Sequence, residues 1–184
     1  SNITLKNVGM NPLRTGIIDV LKMMGGEITI EDERIEANEP VANINVRSSN
    51  LKGVEISGEI IPKLIDEIPI IIIAASIANG TTIIKNAEEL RFKETDRLLA
   101  MSKFLKKSKI EHSLYDDGIK ISGNGEFTGG EFDAYDDHRI AMSVAISSII
   151  AKNKTVINDH EVASISYKNF YRHLKELKIW LAVI

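Results

Sequence analysis

Apolar residues recur at helical spacing in three places along the chain: Ile17, Leu21 and Met24; Leu98, Met101 and Leu105; Phe170, Leu174 and Leu177. Each triplet lines one stripe of a helix with polar positions opposite, the pattern of a helix laid on a core. A short strand-like segment precedes each one: Ile-Thr-Leu-Lys-Asn from residue 3, Thr-Ile-Ile-Lys-Asn from residue 82 and Thr-Val-Ile-Asn-Asp from residue 155. Related tails begin at Leu21, Leu105 and Leu174, and Asn11-Pro12 predicts a cap and an early proline for the first helix.

Period-two alternation follows the first two helices. It predicts strands at 28–30 and 43–46 around one polar connection, and at 110–114 and 119–121 around an Asp117-Gly118 turn. Two further segments are apolar nearly all round. Residues 139–151 are long and alanine-rich, hence helical. Residues 68–78 read as a strand by isoleucine content, yet they occupy the matching slot of the repeat and close at Asn79-Gly80 as a helix does. The repeat therefore predicts a helix there. The resulting unit is β-α-β-α-β-β, present about two and a half times around two central buried helices, an α/β fold with α+β character. The last copy stops after its first helix.

At 184 residues the chain can bury roughly 70% of its unfolded surface, so one sizeable core is available. The absence of cysteine removes disulfides, zinc-thiolate sites and thiol nucleophiles, and fits a reducing, cytoplasmic compartment. A net charge of -3 without a polybasic stripe disfavours nucleic-acid binding. The apolar run at 68–78 is short of the ~20 residues that span a membrane, so no membrane association is expected. Ser1 is neither an initiator Met nor the start of a signal pattern, and the chain is expected to be a piece of something longer.

Charge gathers where the buried helices begin: Lys-Leu-Ile-Asp-Glu-Ile-Pro at 63–69, Lys-Glu-Thr-Asp-Arg at 93–97 and Ala-Tyr-Asp-Asp-His-Arg-Ile-Ala-Met at 134–142. Read singly, these are helix caps: Asp66, Glu94 and Asp96 complement a positive helix end, Thr95 can cap, and Arg97 can pair with Glu94. Read together, helix N-termini around a pseudo-symmetric core can converge on one mouth suited to anions. No metal is expected, because the adjacent residues of Asp-Asp-His point in different directions and no second cluster has matching spacing. His112, His160 and His173 read as surface or rim residues.

Lys-Glu-Thr-Asp-Arg, followed by Asp-Asp-His-Arg-Ile-Ala-Met at 136–142 and preceded by Leu-Ile-Asp-Glu-Ile-Pro-Ile at 64–70, resembles the EPSP synthase family, the target of glyphosate. The resemblance implies the inside-out α/β barrel domain of enolpyruvyl transferases. It also implies that residues 1–184 form the C-terminal part of such an enzyme, most of one of its two domains. The other domain and the N-terminal segment would be absent. The implied reaction moves the enolpyruvyl group of phosphoenolpyruvate to the 5-hydroxyl of shikimate 3-phosphate, on the route to chorismate and the aromatic amino acids, with no cofactor. By resemblance Asp66 and Glu94 are catalytic, Asp66 contacting the 5-hydroxyl as base and Glu94 handling the methylene proton. Lys93 contacts shikimate 3-phosphate, and Arg97 with Arg139 clamps the phosphoenolpyruvate carboxylate. Asp137 and His138 read as groups that orient those arginines.

Three positions depart from the family pattern. Ile165 stands where some members carry a lysine, and Glu89 where some carry an amide, so no substrate contact is assigned to either. Lys168 stands where a proline is common. The alternative enzyme reading is a UDP-N-acetylglucosamine enolpyruvyl transferase-like protein, disfavoured by the two arginine motifs. The alternative outside catalysis is a binding domain of the same fold that has lost its chemistry.

Overall fold

A computed structural model describes residues 1–123 and 126–181, with side chains only as far as residue 177 in the last helix. The Lys178-Ile179 end of the third tail therefore lies outside the described side chains. Nine strands and five α-helices follow in the order β1 (Asn2–Gly9), α1 (Gly16–Met23), β2 (Glu27–Glu36), β3 (Glu39–Arg47), β4 (Glu55–Ile56), α2 (Ile68–Ile77), β5 (Gly80–Ile84), α3 (Arg97–Lys107), β6 (His112–Tyr115), β7 (Gly118–Gly123), β8 (Glu131–Asp133), α4 (His138–Ser147), β9 (Val156–Asn158) and α5 (Phe170–Leu181), counted among the described residues. Short 3-10 segments sit at Gly58–Lys63, Ile65–Glu67, Glu88–Phe92 and His160–Ile165.

The sheets reproduce the repeat. The complete unit runs β4-α2-β5-α3-β6-β7 and makes a four-stranded sheet in the order β4-β5-β7-β6, with β4 parallel to β5 and the others antiparallel. The preceding strands order as β1-β3-β2, all antiparallel, which is the β5-β7-β6 part of that sheet. The following pair, β8 and β9, is parallel, as β4 and β5 are. Strand order and direction thus agree across three copies, two of them partial within the described residues.

Residues 68–78 settle in favour of the repeat: α2 is helical despite its run of isoleucines. Ile68, Ile71 and Ile72 are fully buried, and α2 packs against α3, α4 and β7. Burying such side chains is worth roughly 1.5–3 kcal/mol each, against a few tenths per residue lost in helix propensity. Ala78 turns extended and Gly80 takes a φ of 96° as it opens β5. The stripe of α3 is likewise in the core, Leu98, Met101 and Leu105 being fully buried. Met24 is buried beside it, while Ile17 and Leu21 pack partly exposed. Phe170 and Tyr171 of α5 pack on a separate small cluster of Ala134, Ala141 and Ala163.

Three local expectations change. Helix α1 starts at Gly16, not at Asn11-Pro12, because Asn11 closes a turn of its own: its side chain accepts from the Leu13 amide at 2.9 Å and its carbonyl from Arg14 N at 2.8 Å. Strands β2 and β3 extend well beyond the predicted segments and meet at Ala37-Asn38, whose φ values of 46° and 69° fit a two-residue hairpin turn with the twist of the strands. The β6–β7 connection is Asp116-Asp117, and Gly118 already belongs to β7. Its missing side chain is a packing requirement, since a Cβ there would lie 1.9 Å from the Ile84 carbonyl oxygen.

Candidate active site

The three charged clusters converge. Helices α2, α3 and α4 touch pairwise, and the residues that open them meet at one end of that bundle. Arg97, the first residue of α3, is the hub. It is only 1% exposed, and its three nitrogens donate to three carboxylates: Nε to Asp137 Oδ2 at 2.7 Å, Nη1 to Asp66 Oδ1 at 3.0 Å and Nη2 to Glu94 Oε2 at 2.7 Å. Asp66 lies in the 3-10 turn before α2, and Asp137 immediately before α4.

Aspartates do the capping, and they do it in duplicate. Asp137, fully buried, accepts at Oδ1 from the amides of Arg139 at 2.8 Å and Ile140 at 3.3 Å, and at Oδ2 from Arg97. Asp96, not Thr95, caps α3: Oδ1 accepts from Leu99 N at 2.9 Å, and Oδ2 takes Arg91 Nη1 at 2.7 Å. In each case one oxygen neutralises the helix start and the other fixes an arginine. The chain reaches Asp137 through Tyr135 and Asp136, both left-handed with φ of 54°. A non-glycine residue in that region costs about 1–2 kcal/mol, so the buried cap and ion pair must hold the turn in place.

Arg139 differs from Arg97. It is 28% exposed; Nη1 donates to the Asp66 carbonyl at 3.1 Å and to Glu67 Oε1 at 3.0 Å, while Nη2 stands 3.5 Å from Asp66 Oδ2. Among the described residues Nε and Nη2 make no hydrogen bond, so that edge of the fork is held only by the longer ion pair to Asp66. Lys93 pairs with Glu89 by a short contact and approaches Asp66 Oδ1 at 3.8 Å. Asp66 and Glu67 line two hollows, one of about 500 Å³ toward Arg14 and Lys63, one of about 200 Å³ walled by Ile70, Met142 and Phe170.

Burial of Asp66 would raise its pKa, but Arg139, Lys93 and Arg97 together outweigh that and hold it below its ordinary value of 3.8. For Arg97, burial works against the charge, but the hydrogen bond and charge of Asp137, then Glu94 and Asp66, push it further up. Both groups are fully ionised at neutral pH.

The structure therefore brings together Asp66, Lys93, Glu94, Arg97, Asp137 and Arg139, as the convergence of the helix starts predicts. His138 is half-buried in the first turn of α4. A ligand carboxylate reaches Arg97 only by displacing a hydrogen-bonded Glu94 or Asp66, whereas at the Nε–Nη2 edge of Arg139 it meets no hydrogen bond and only the 3.5 Å ion pair to Asp66. Ile165 is 75% exposed at the end of its 3-10 segment. Two participants had no role in the sequence reading. Glu67 anchors Arg139, and Arg91 ties the start of α3 to the Asp116 and Tyr115 carbonyls at 2.6 and 2.7 Å. Glu67 adjoins Asp66 in a charged pair before a proline, which was the only signal for it.

Comparison with known proteins bears on the fold and the family. The sequence matches the family EPSP synthase (3-phosphoshikimate 1-carboxyvinyltransferase) over residues 1–174. A 3-phosphoshikimate 1-carboxyvinyltransferase of Synechococcus elongatus is 50% identical over 177 residues, 96% of this chain and 40% of that protein. The chain thus spans about 40% of the length of such relatives. Among solved structures, an EPSP synthase from Acinetobacter baumannii superposes with a TM-score of 0.89 at 40% identity, covering 92% of this chain and 40% of that one. The enolpyruvyl transferase NikO of Streptomyces tendae, 16% identical, shares the fold at a TM-score of 0.73 over 96% of this chain and 38% of its own. With the repeat, the sheet order and the match over residues 1–174 all in accord, the chain belongs to the EPSP synthase family.

Proposed function

We propose that this chain forms one wall of an active site that transfers the enolpyruvyl group of phosphoenolpyruvate to the 5-hydroxyl of shikimate 3-phosphate, releasing phosphate, in the cytoplasm. The relatives carry that activity in their name, and the rest of their length would supply the opposite wall. The observation that bears most weight is the Nε–Nη2 edge of Arg139, free of hydrogen bonds among the described residues and within reach of a carboxylate, beside Asp66 and the Arg97 hub. A planar fork of this kind suits a carboxylate in two parallel hydrogen bonds.

In this reading Arg139 takes the phosphoenolpyruvate carboxylate first, and Arg97 joins as Glu94 swings away from it. Lys93 exchanges Glu89 for the phosphate of shikimate 3-phosphate. Asp66 accepts the 5-hydroxyl proton as that oxygen bonds to the central carbon of phosphoenolpyruvate, while Glu94, having left Arg97 and taken a proton from solvent, delivers it to the methylene carbon. Loss of phosphate, with return of one methyl proton to Glu94, then restores the double bond. Asp66 is a weak base while three cations surround it; two bound anions offset those cations and raise its basicity when it is needed. Asp137 holds Arg97 in place, and His138 stands at the rim.

The test is reconstitution. The chain is mixed with the remaining portion of the Synechococcus elongatus relative, and phosphate release is followed with each acceptor. Turnover that needs both phosphoenolpyruvate and shikimate 3-phosphate, and that UDP-N-acetylglucosamine does not support, is the expected result. Turnover with UDP-N-acetylglucosamine, or robust turnover by the chain alone, contradicts it.

A further inference from the structure

Glu67 has no part in the proposed chemistry, yet it is placed against the group read there as binding a carboxylate. Its Oε1 lies 3.0 Å from Arg139 Nη1, and the carbonyl of its neighbour Asp66 lies 3.1 Å from the same nitrogen. These two acceptors use both hydrogens of Nη1 and none of Nε or Nη2. A guanidinium is rigid and planar, so fixing one nitrogen from two directions fixes the direction of the opposite edge. On its other side the hollow is walled by Ile70, Met142 and Phe170, side chains that offer Arg139 no hydrogen-bond acceptor.

The backbone around Glu67 is equally constrained. Glu67 ends the Ile65–Glu67 3-10 turn, its amide donates to the Leu64 carbonyl at 2.9 Å, and Pro69 at the start of α2 fixes the next stretch. Glu67 itself is about as buried as Arg139, with side-chain exposures of 29% and 28%. A mobile surface glutamate would lose much of an ion pair's value to side-chain entropy; this one is already ordered.

We propose that Glu67 is a positioning residue that aims the Nε–Nη2 edge of Arg139 at an incoming carboxylate. The inference rests on the reading of Arg139 as a carboxylate-binding group and adds to it what sets the aim. It makes a prediction of unexpected sign. Removing a negative charge beside an anion site strengthens anion binding by simple electrostatics. If Glu67 aims Arg139, its removal weakens binding instead.

The experiment is an NMR titration of the 184-residue chain with phosphoenolpyruvate at millimolar concentration, comparing the parent with Glu67→Ala, Glu67→Gln, Glu59→Gln and Arg139→Ala. Glu67→Ala is expected to raise Kd by roughly three- to tenfold, the worth of a part-buried charged hydrogen bond. Glu67→Gln, which keeps an acceptor, recovers most of the loss. Glu59→Gln, the same charge change at a helical segment away from Arg139, leaves Kd the same or slightly lower. Shikimate 3-phosphate, titrated in parallel, is expected to bind the parent and Glu67→Ala alike, which a general loss of structure would not allow. Tighter or unchanged phosphoenolpyruvate binding by Glu67→Ala, with Arg139→Ala still weakened, overturns the role of Glu67 and leaves the reading of Arg139 intact. An Arg139→Ala chain that binds as well as the parent, or a parent that binds none, overturns both.

Discussion

At the scale of single residues, the site turns on two arginines that look alike in the sequence and differ in the structure. Arg97 is enclosed and holds three carboxylates, while Arg139 is hydrogen-bonded at one nitrogen and held at a second only by a longer ion pair to Asp66. Arg97→Lys should therefore lower stability without any ligand, because one ammonium cannot serve three acceptors set around a planar fork. Arg139→Lys should leave the urea midpoint nearly unchanged and weaken phosphoenolpyruvate binding by on the order of 1.5–3 kcal/mol, read by calorimetry on the reconstituted enzyme. Equal losses of stability in both would mean that Arg139 is also a structural group. Asp137→Ala removes the one fully buried partner of Arg97 and uncaps α4, and should cost about 3–5 kcal/mol in urea unfolding; a cost below about 1 kcal/mol would contradict the hub. For Asp66 the pKa is depressed in the folded chain, so its charge stabilises the fold fully above the unfolded value and that contribution disappears as pH falls through the folded value. The gap in urea midpoint between the parent and Asp66→Asn should accordingly be constant near neutrality and close as pH drops below 3.8. A gap that closed only on raising the pH would reverse the sign of the argument.

At the scale of elements, what could be read from the sequence was whatever repeats or has a period. The stripe of α3 was legible because Leu98, Met101 and Leu105 recur at helical spacing. Helix α2 was legible only through its slot in the repeat, since its isoleucines favour a strand locally and the cost is offset by burial against α3 and α4. The Ala37-Asn38 hairpin was not legible, because its left-handed alanine is imposed by pairing of β2 with β3 and not by turn chemistry. The convergence of the charged clusters was foreseen from pseudo-symmetry. The inaccessibility of Arg97 was not, because it depends on Asp66 and Asp137, which lie 31 and 40 residues from it in the chain. Gly118 offers a check on the sheet itself. In Gly118→Ala the new Cβ meets the Ile84 carbonyl oxygen, and β5 and β7 must part to admit it. The expected loss is about 1–3 kcal/mol in urea unfolding, whereas a variant as stable as the parent would place the two strands further apart than described here.

At the scale of the whole molecule, two successive copies of one unit set three helix N-termini around a common mouth, those of α2 and α3 from the complete copy and that of α4 from the partial copy after it, and the chain fills that mouth with its own ion pairs. Lys93 holds Glu89, Arg97 holds Glu94 and Asp66, and Arg139 holds Glu67. Such pairing keeps the cations ordered in advance, so that on the proposed reading an anionic ligand meets a site already set, with Glu94 49% exposed. Among the described residues no helix is long and apolar enough to cross a membrane. The central claim is that the carboxylates gathered by Arg97 are the proton-transfer groups and not merely helix-start pairs. It is tested most directly by the single-turnover rate of the reconstituted enzyme carrying Asp66→Asn or Glu94→Gln, with the affinities of both substrates measured alongside. A positioned acid or base is worth about 10²- to 10⁴-fold in rate, so each variant should lose that much while binding changes little. Rates close to the parent's in both variants would return Asp66 and Glu94 to the role of partners for a buried arginine.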